Sequence, residues 1–305
     1  MAGGTGGAKL ARGMLDVVGS ERLTVIANTG DDVEIYGAHV SPDPDLVSFW
    51  LADQIDARGW GLEGDSFRVM DALRGLGEEI WFNLGDRDLA MGIQRAAALA
   101  AGTRLTEAHA ALTRHLGLRA KVLPMSDQPV RTRVLAEGRW WTLQEFLIQA
   151  RGQGRIQDVR FVGADAAQPT PEVLDAIEQA DIIVIGPSNP VISIGPMLAV
   201  PGMGTALRAA RAPVVAVSPL VGGQVLKGPT AGFLNWAGYA VSASGVAALY
   251  GELIDAIVSD EQVPETRSLQ TSVLMDSADT RRRLAAETLD FALAITAATA
   301  DGSFK

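Results

Sequence analysis

The feature that most constrains the fold is a pair of short strands made of apolar residues throughout. IIVIG (182–186) and VVAVS (214–218) have no polar side chain before their last residue. Such strands are typical of a parallel sheet that helices cover on both faces, because neither side of the strand meets water. Helical patterns separate these strands from each other and from VRFVG (159–163). We therefore predict an α/β fold with a mostly parallel sheet and helices on both faces.

The first half of the chain indicates a lobe inserted into this core. LTVIAN (23–28) has the pattern of a buried strand, and residues 67–76, 89–101 and 106–116 have the apolar spacing of helices. IWFNLG (80–85) is predicted as a further strand. No Ser- or Pro-rich linker marks an independent unit. We predict a single domain over residues 1–305 with a smaller, mainly helical lobe near residues 60–160.

Composition excludes several classes of site and partner. The chain has 305 residues, no cysteine and a formal net charge of -10, which excludes thiolate metal sites and disfavours a nucleic acid partner. No apolar run approaches the ~18 residues that a membrane span needs, and no targeting segment is recognisable. We expect a cytoplasmic protein that binds neither nucleic acid nor membrane. His109 and His115 lie on different faces of a predicted helix, so we expect them to be exposed or capping.

A glycine-rich segment opens the chain and is predicted to run into a helix. It comprises Gly3, Gly4, Thr5, Gly6, Gly7, Ala8 and Lys9. Backbone amides at the start of a helix can approach a phosphate, although an ordinary strand-to-helix turn has the same composition. A nucleotide-binding loop of this kind follows a strand of several residues, yet here only Met1 and Ala2 precede the glycines. We expect an in-frame start further upstream that encodes several Val, Leu or Ile residues.

Two acidic segments follow the first predicted strand. Asn28-Thr29-Gly30-Asp31-Asp32 comes directly after it, and Ser41-Pro42-Asp43-Pro44-Asp45 lies shortly beyond. Clustered carboxylates suit Mg²⁺, whereas single aspartates in such segments also form turns and cap helices. Four of them beside a candidate phosphate loop favour a metal–phosphate site.

Three further polar segments follow predicted strands. Leu84-Gly85-Asp86-Arg87-Asp88 is either a solvated set of ion pairs or a site that orients a polar ligand. GPSNP (186–190) and SPLVGG (218–223) end buried strands with small residues that allow a base or ribose to approach the backbone. Because ligands bind at the carboxyl edge of a parallel sheet, we expect these segments to share one site.

Taken in order, these segments resemble the 2-phospho-L-lactate transferase family over almost the whole chain. The segments are GGTGGAKL, NTGDD, SPDPD, DQID-x-RGWG, LGDRDLA, LPMSDQPV, GPSNPVISIGPML, PGM and SPLVGG-x-x-x-KGP. The resemblance implies a Rossmann-like core with a smaller lobe, usually in a homodimer. It also implies an enzyme of deazaflavin coenzyme F(420) biosynthesis. Such enzymes transfer a phospholactyl, phosphoenolpyruvyl or related group from a guanosine diphospho-carrier to the ribityl hydroxyl of the deazaflavin Fo, release GMP and depend on Mg²⁺.

Matching positions assign roles to individual residues. The resemblance places Asp32 and Asp45 at the metal and the reacting groups, and gives Asp45 a contact to Fo. Asn83 matches another Fo contact, where relatives often have Lys. The family's usual Asp-Leu-Asp-Thr is Asp43-Pro44-Asp45-Leu46 here, which keeps both carboxylates and loses the hydroxyl.

Together, the residues and the resemblance give the following predicted site. The catalytic residues are Asp32, Asp45 and Arg87, and the metal ligands are Asp31, Asp32 and Asp45. The residues that bind Fo are Asp45, Asn83, Gly85, Asp86 and Asp88. The residues that bind the substrate nucleotide are Gly3, Gly4, Thr5, Gly6, Gly7, Lys9, Asn28, Ser188, Asn189, Gly222 and Gly223. The residue that accepts the proton from the acceptor hydroxyl is left open between Asp45 and another carboxylate of the cluster.

Two rival functions have weaker support in the sequence. A nucleotide-sugar-binding regulator of the gluconeogenesis-factor type would share the glycine loop and the sheet, but such proteins carry an Asp-Asp-Gly-Gly-Ser-Ser type of loop where this chain has NTGDD. An NAD-dependent dehydrogenase would need the dinucleotide fingerprint spacing, which residues 3–8 lack.

Overall fold

A computed structural model describes the backbone of residues 1–300 and the side chains of residues 1–298. Within these residues the helices are α1 Gly4–Val18, α2 Pro42–Leu51, α3 Arg68–Gly75, α4 Asp86–Ala100, α5 Leu105–His115, α6 Leu143–Ile148, α7 Pro171–Glu178, α8 Gly195–Ala199, α9 Met203–Ala209, α10 Thr230–Trp236, α11 Ala243–Tyr250 and α12 Ala278–Ala300. The strands are β1 Thr24–Ala27, β2 Val33–Ile35, β3 Ala38–Val40, β4 Lys121–Pro124, β5 Arg131–Ala136, β6 Arg139–Thr142, β7 Ile156–Val162, β8 Ile183–Ile185, β9 Val214–Val217, β10 Leu220–Val221, β11 Gln224–Val225, β12 Ala256–Ser259 and β13 Ser268–Gln270.

The core sheet is parallel and consists of two parts. β1 pairs with β4, and the other part has the order β13-β12-β9-β8. The first two residues lie between the parts: the Ala2 amide donates to the Ile26 carbonyl (2.9 Å), and the Met1 amine donates to the Val184 carbonyl (2.7 Å). β1 and β8 are therefore held on either side of the start of the chain.

Helices cover both faces of this sheet, as β9 illustrates. Val214 and Ala216 pack into an apolar cluster that contains residues of α7, α9 and α11. Val215 and Val217 pack into the opposite cluster, which contains residues of α1 and α12. A strand with apolar residues on both faces is what such burial requires. This confirms the predicted α/β fold with a mostly parallel sheet.

The region near residues 60–160 contains more than the predicted helices. α3, α4 and α5 lie there, and β6-β5-β7 add a three-stranded antiparallel sheet that carries α6. Thr132 on β5 donates its amide to the Gly30 carbonyl (2.6 Å), so this sheet contacts the acidic segment after β1. The division into one domain with an inserted lobe stays a prediction, and its residues 301–305 lie outside the described chain.

The strand predicted over residues 80–85 is wrong. This segment is irregular, and its backbone meets side chains rather than a neighbouring strand, since the Phe82 amide donates to the Tyr36 hydroxyl (3.4 Å). Trp81 and Phe82 stack on each other with ring centroids 5.6 Å apart. An apolar segment becomes a strand only where a neighbouring strand offers a free edge. In this segment the Trp81 and Phe82 rings instead pack against each other.

Among the described residues, no single helix is both long enough and apolar enough to cross a membrane. One pair of helical segments, Pro190–Ala199 and Met203–Ala209, reaches that length and composition jointly, but it bends by 89° at the break.

Candidate active site

The predicted polar segments meet at the carboxyl edge of the sheet, where α1 begins. The Gly3 amide donates to the Ser188 hydroxyl (3.1 Å), and the Gly4 amide donates to Asp43 Oδ1. Asn28 Nδ2 donates to Asp43 Oδ2 (2.9 Å). Segments that are up to 185 residues apart in sequence are thus joined by direct hydrogen bonds. Ligands bind at this edge in open parallel sheets.

Two of the glycines at the start of α1 are required by packing against the next loop. A Cβ on Gly6 would lie 2.1 Å from the Pro187 carbonyl oxygen, and one on Gly7 would lie 2.6 Å from Ser188 Oγ. Gly4 has a φ of +65°, which a residue with a side chain rarely adopts. The amides of Thr5 and Gly6 belong to the first helical turn, whose N–H groups have no partner within the helix. These two amides remain the best placed for an anion.

Lys9 does not point toward this helix terminus. Its Nζ donates to the Met275 carbonyl (3.1 Å), and it lies 5.9 Å from the centroid of the Trp50 ring. Burial and the neighbouring Lys227 and Arg281 lower the pKa of Lys9. The predicted role of Lys9 at the nucleotide stays a prediction, and the structure places the side chain against the segment before α12.

The four aspartates Asp31, Asp32, Asp43 and Asp45, which we call the rim aspartates, are all buried. Asp43 and Asp45 lie in the first turn of α2, where Pro42 occupies the first helical position, which suits proline. Carboxylates are stabilised there by the helix dipole. The rim aspartates nonetheless differ in their partners, and those partners decide what each carboxylate is free to do.

Asp32 is paired with a protonated histidine. Its Oδ2 lies 3.0 Å from His39 Nε2, and its Oδ1 accepts from the Ser41 hydroxyl (2.7 Å). Burial alone would lower the pKa of His39, but its hydrogen bonds to Asp32 and Glu34 raise that pKa to about 9. Glu34 in turn accepts from Arg131 (2.6 Å). At neutral pH a positively charged imidazole therefore lies against Asp32.

Asp45 is held by a buried arginine. Arg95 Nη1 donates to Asp45 Oδ2 (3.0 Å) and Nη2 donates to Oδ1, so the pair is bidentate. Arg95 also donates to the His39 carbonyl (2.9 Å). Burial raises the pKa of Asp45, and Arg95 opposes that shift. Both oxygens of the residue predicted as catalytic and metal-binding are thus already engaged.

His109 completes this buried cluster, which contradicts the expectation that it is exposed or capping. Its Nε2 lies 3.3 Å from the Ser48 hydroxyl, and its side chain is fully buried on α5. Burial and the nearby Arg95 lower the pKa of His109 to about 3, so it is neutral. His115 is exposed, as expected.

Among the described residues, no cationic side chain is hydrogen-bonded to Asp31 or Asp43, although the charge of Arg131 acts on Asp31 and lowers its pKa slightly against the other effects. Burial, followed by repulsion from Asp43 and Asp32, raises the pKa of Asp31 well above its usual range. Burial raises the pKa of Asp43 to about 6, against hydrogen bonds from Asn28 and Gly4. Gln144 Nε2 donates to Asp31 Oδ2 (3.0 Å), while the buried Oδ1 of Asp31 has no hydrogen-bond partner. In these two carboxyl groups the ionised form is disfavoured by burial, so a bound cation would stabilise it.

The residues present fit a Mg²⁺ ion that shares its ligands with a substrate. Within residues 1–300, no group of three or more His, Asp or Glu side chains forms a ready-made metal site. Mg²⁺ commonly uses one or two carboxylates, with water and substrate phosphates supplying the rest. The unpartnered Oδ1 of Asp31, next to Asp43, is a donor set of this kind. Asp32 and Asp45, which were also predicted as ligands, are engaged by His39 and Arg95.

Much of the LGDRD segment has a structural role at two helix starts. Asp86 accepts from the amides of Arg68 (3.1 Å) and Val69 (3.0 Å) at the start of α3. Asp65 accepts from the amides of Arg87 (3.0 Å) and Asp88 (3.1 Å) at the start of α4. We call Asp65 and Asp86 the cap aspartates. A Cβ on Gly85 would lie 2.2 Å from Asp65 Oδ2, which accounts for that glycine.

The remaining polar residues near this segment are the exposed Arg87 and Asn83 and the half-buried Asp88. Arg87 is exposed and donates to the Glu63 carbonyl and to Gln54 Oε1, both at 3.3 Å. Asn83 is exposed and accepts from Arg74 (2.7 Å). Asp88 differs, because burial and the nearby Asp45 raise its pKa to about 7. Asp88 therefore connects this segment electrostatically to the rim aspartates.

The last predicted nucleotide contacts lie in turns with their own internal hydrogen bonds. Asn189 Oδ1 accepts from the amides of Val191 (2.9 Å) and Ile192 (3.2 Å) and so caps the π-helix Pro190–Ile194. Gly222 and Gly223 have φ values of +58° and +70° and form the tight turn between β10 and β11. A role for them in nucleotide binding stays a prediction.

Sequence reasoning missed the residues that set the charge of the site. These are His39, Arg95 and Gln144. Arg95 carried a signal, since it is the charged residue on the apolar face of α4 and is 1% exposed. His39 and Gln144 have no such mark in the sequence.

Comparison with known proteins identifies the family of this chain. The family model of 2-phospho-L-lactate transferase CofD matches residues 1–291. The chain belongs to this family. Family membership confirms the resemblance, and it makes the chain a member of a transferase family of coenzyme F(420) biosynthesis.

Individual members of this family align over most of the chain. A 2-phospho-L-lactate transferase of Methanosarcina mazei is 39% identical over 262 residues, which cover 86% of each chain. A phosphoenolpyruvate transferase of Kitasatospora aureofaciens is 41% identical over 269 residues, with 85% of this chain and 84% of that protein covered. Relatives of both names are thus about equally similar to this chain.

A solved structure supports the fold. A protein of the UPF0052 family from Bacillus halodurans superposes with a TM-score of 0.61 at 19% identity, covering 94% of this chain and 96% of that chain.

Proposed function

We propose that this protein transfers a phospholactyl, phosphoenolpyruvyl or related phosphoacid group from a guanosine diphospho-carrier to the ribityl hydroxyl of Fo and releases GMP. The family supplies the reaction class. The observation that carries the assignment to this site is the pair Asp31 and Asp43, buried without a cationic partner beside the start of α1. Such a pair favours a cation bridged to a phosphate.

The start of α1 is proposed to hold the pyrophosphate of the donor. The amides of Thr5 and Gly6 lie in its first turn, where the helix dipole favours an anion. The Gly3 amide donates to the Ser188 hydroxyl here, so the loop after β8 and the start of α1 are linked directly. Asn28 would orient the nucleotide through its position next to Asp43.

Mg²⁺ would be held by Asp31 and Asp43, where it would neutralise charge that develops on the phosphate oxygens. Asp32 and Asp45 would then position the site indirectly. The His39 and Arg95 pairs hold both carboxylates in place and put a cation beside each of them.

Asp88 is proposed as the group that accepts the proton of the acceptor hydroxyl. Its pKa of about 7 suits a general base at neutral pH. Asp45 is a poorer candidate, because Arg95 occupies both of its oxygens. In the transfer, the hydroxyl oxygen bonds to the phosphorus that bears the acid while the bond from this phosphorus to the bridging oxygen breaks. GMP departs with that oxygen, and the proton goes to Asp88.

The test incubates the purified protein with Fo, Mg²⁺ and each candidate guanosine diphospho-acid while GMP and the charged deazaflavin product are measured. We expect turnover with at least one donor and little with Asp31→Asn. Comparing the phospholactyl and phosphoenolpyruvyl donors would settle which group is transferred. Absence of turnover with every donor, together with tight binding of a UDP-sugar, would instead favour the regulator.

We also propose that the protein acts as a homodimer in the cytoplasm. The support is the family resemblance alone. Light scattering of the purified chain at several concentrations tests the dimer, and a monomer mass at all of them would contradict it.

A further inference from the structure

A group of cations surrounds Trp50, in the last turn of α2, and has no part in the proposed chemistry. Lys9 Nζ lies 5.9 Å from the centroid of the Trp50 ring, and the Arg281 guanidinium lies 5.1 Å from it. Beyond the effect of burial, the charges of Lys227 and Arg281 lower the pKa of Lys9, so these cations are close enough to repel one another. We call Lys9, Lys227 and Arg281 the Trp50 cations.

The Trp50 cations are not neutralised by carboxylates that contact them. Among the side chains of residues 1–298, none forms an ion pair with Lys9, Lys227 or Arg281, although the charge of Asp276 acts on Lys9. Arg282, the next residue on α12, is by contrast paired with Asp279. The chain has 36 acidic and 26 basic residues, so acidic partners are not scarce. Cations that repel one another without a counter-ion are unfavourable until an anion binds.

Two buried N–H groups at the same place also lack an acceptor. Trp50 Nε1 and Arg281 Nε are both shielded from solvent and make no hydrogen bond within the described part of the chain. Indole, guanidinium and ammonium groups donate hydrogen bonds and cannot accept them. A buried donor without a partner is costly, so the missing partner is an acceptor. Together with the three positive charges, this indicates an anion that carries several oxygen atoms.

The Trp50 cations lie near the start of α1 but are separate from it. Lys9 is four residues after Thr5, so the two share a side of α1 and are about 6 Å apart along its axis. Lys227 is exposed and Lys9 is half-buried, so an anion can approach from solvent. The place is therefore distinct from the helix amides that were proposed for the pyrophosphate.

We propose that the Trp50 cations and the Trp50 indole N–H form a second anion site, which binds a phosphate group. Charge-assisted hydrogen bonds from several donors suit the terminal oxygens of a phosphate dianion. The phosphate of GMP and free inorganic phosphate share this chemistry. The site itself does not depend on which reaction the protein catalyses, whereas its assignment to GMP rests on the proposed function.

Isothermal titration calorimetry with inorganic phosphate, GMP and guanosine tests the site. We expect Arg281→Gln and Lys227→Gln each to weaken phosphate or GMP binding by about 10-fold, the loss typical of a charge-assisted hydrogen bond. Guanosine, which lacks the phosphate, should bind equally to all forms. Trp50→Phe keeps a ring and removes the N–H, and should weaken binding by about 5-fold. Arg282→Gln is the matched control on α12 and should bind each ligand like the unsubstituted protein.

The two phosphate ligands separate the sources of the anion. A loss of affinity for GMP supports the nucleotide as the ligand, and a loss for inorganic phosphate alone supports a site for free phosphate. The transfer assay is a separate measurement. Weaker phosphate binding by Arg281→Gln, together with no turnover of any donor by the unsubstituted protein, would support the site and contradict the proposed reaction.

The melting temperature distinguishes a lost site from a damaged fold. Without phosphate, Lys227→Gln should melt at the same temperature or higher, because it removes a repelling charge from the surface. Saturating phosphate should raise the melting temperature of the unsubstituted protein more than that of this variant. Unchanged affinities for both phosphate and GMP in Arg281→Gln and Lys227→Gln would overturn the proposal.

Discussion

The rim aspartates and the cap aspartates show one residue type in opposite roles. The rim aspartates are buried, and burial raises the pKa of Asp31, Asp43 and Asp45. The cap aspartates are partly exposed, and the pKa of Asp86 is lowered by the Ser66 hydroxyl and the backbone amides of α3. A carboxylate that satisfies helix amides stabilises the fold, whereas a buried carboxylate without a cation is unfavourable until something binds.

A second contrast lies within the rim aspartates. Asp32 and Asp45 are hydrogen-bonded to His39 and Arg95, whereas no cationic side chain in the described part of the chain is hydrogen-bonded to Asp31 or Asp43. We therefore expect substitutions in the two pairs to have different consequences. Substitution of Asp32 or Asp45 will mainly lower the stability of the fold. Substitution of Asp31 or Asp43 will mainly lower turnover.

The largest effect is expected for Asp45→Asn. The substitution leaves the Arg95 guanidinium buried without its counter-ion, and breaking a buried pair from one side costs about 3–5 kcal/mol of unfolding free energy. Urea unfolding monitored by tryptophan fluorescence measures the loss. The double variant Asp45→Leu with Arg95→Met should recover a large part of it. A loss below about 1 kcal/mol for Asp45→Asn would show that the pair is not buried as described.

The next largest effect is expected for Asp31→Asn, and it should appear in turnover. An amide keeps the acceptor for Gln144 and removes the carboxylate that lacks a cationic partner, so the melting temperature should stay the same or rise. The rate of GMP release should fall by about 100-fold, the loss typical of a metal-linked contact. Asp86→Asn is the matched control, with a rate close to that of the unsubstituted protein. A normal rate for Asp31→Asn would remove Asp31 from the metal site.

The distinction between paired and unpaired aspartates could not be read from the sequence. The apolar strands predicted the parallel sheet, and the glycines and aspartates predicted the edge where the site lies. The partners that decide each charge are far away along the chain: Arg95 is 50 residues from Asp45, and Gln144 is 113 residues from Asp31. Reciprocal capping by Asp65 and Asp86 likewise requires two helix starts to lie side by side. Only the tertiary structure places these groups in contact.

A third test uses the pH dependence of the Asp32 and His39 pair. The pKa of His39 is about 9 in the folded protein, against 6.5 ordinarily, so protonation favours the folded state. The stabilisation is fully present below pH 6.5 and is lost as the pH rises through about 9. The melting temperature of the protein should therefore exceed that of His39→Gln most at about pH 6.5 and below. This difference should shrink by several degrees as the pH rises to 9 and above. A constant difference from pH 6 to pH 10 would show that His39 is not the titrating partner.

The smallest effects are expected at the cap aspartates, and they should be confined to stability. Asp86→Ala removes the acceptor for the amides of Arg68 and Val69, and Asp65→Ala does the same for those of Arg87 and Asp88. Each loss should lower the melting temperature by about 2–4 °C. Asp86→Asn should lose less, because an amide oxygen still caps a helix. Turnover per folded molecule should change by less than about twofold in the two Asp86 variants, because this carboxylate acts on helix amides rather than on substrate. A large drop in turnover without a change in melting temperature would move the cap aspartates into the active site and abolish the contrast with the rim.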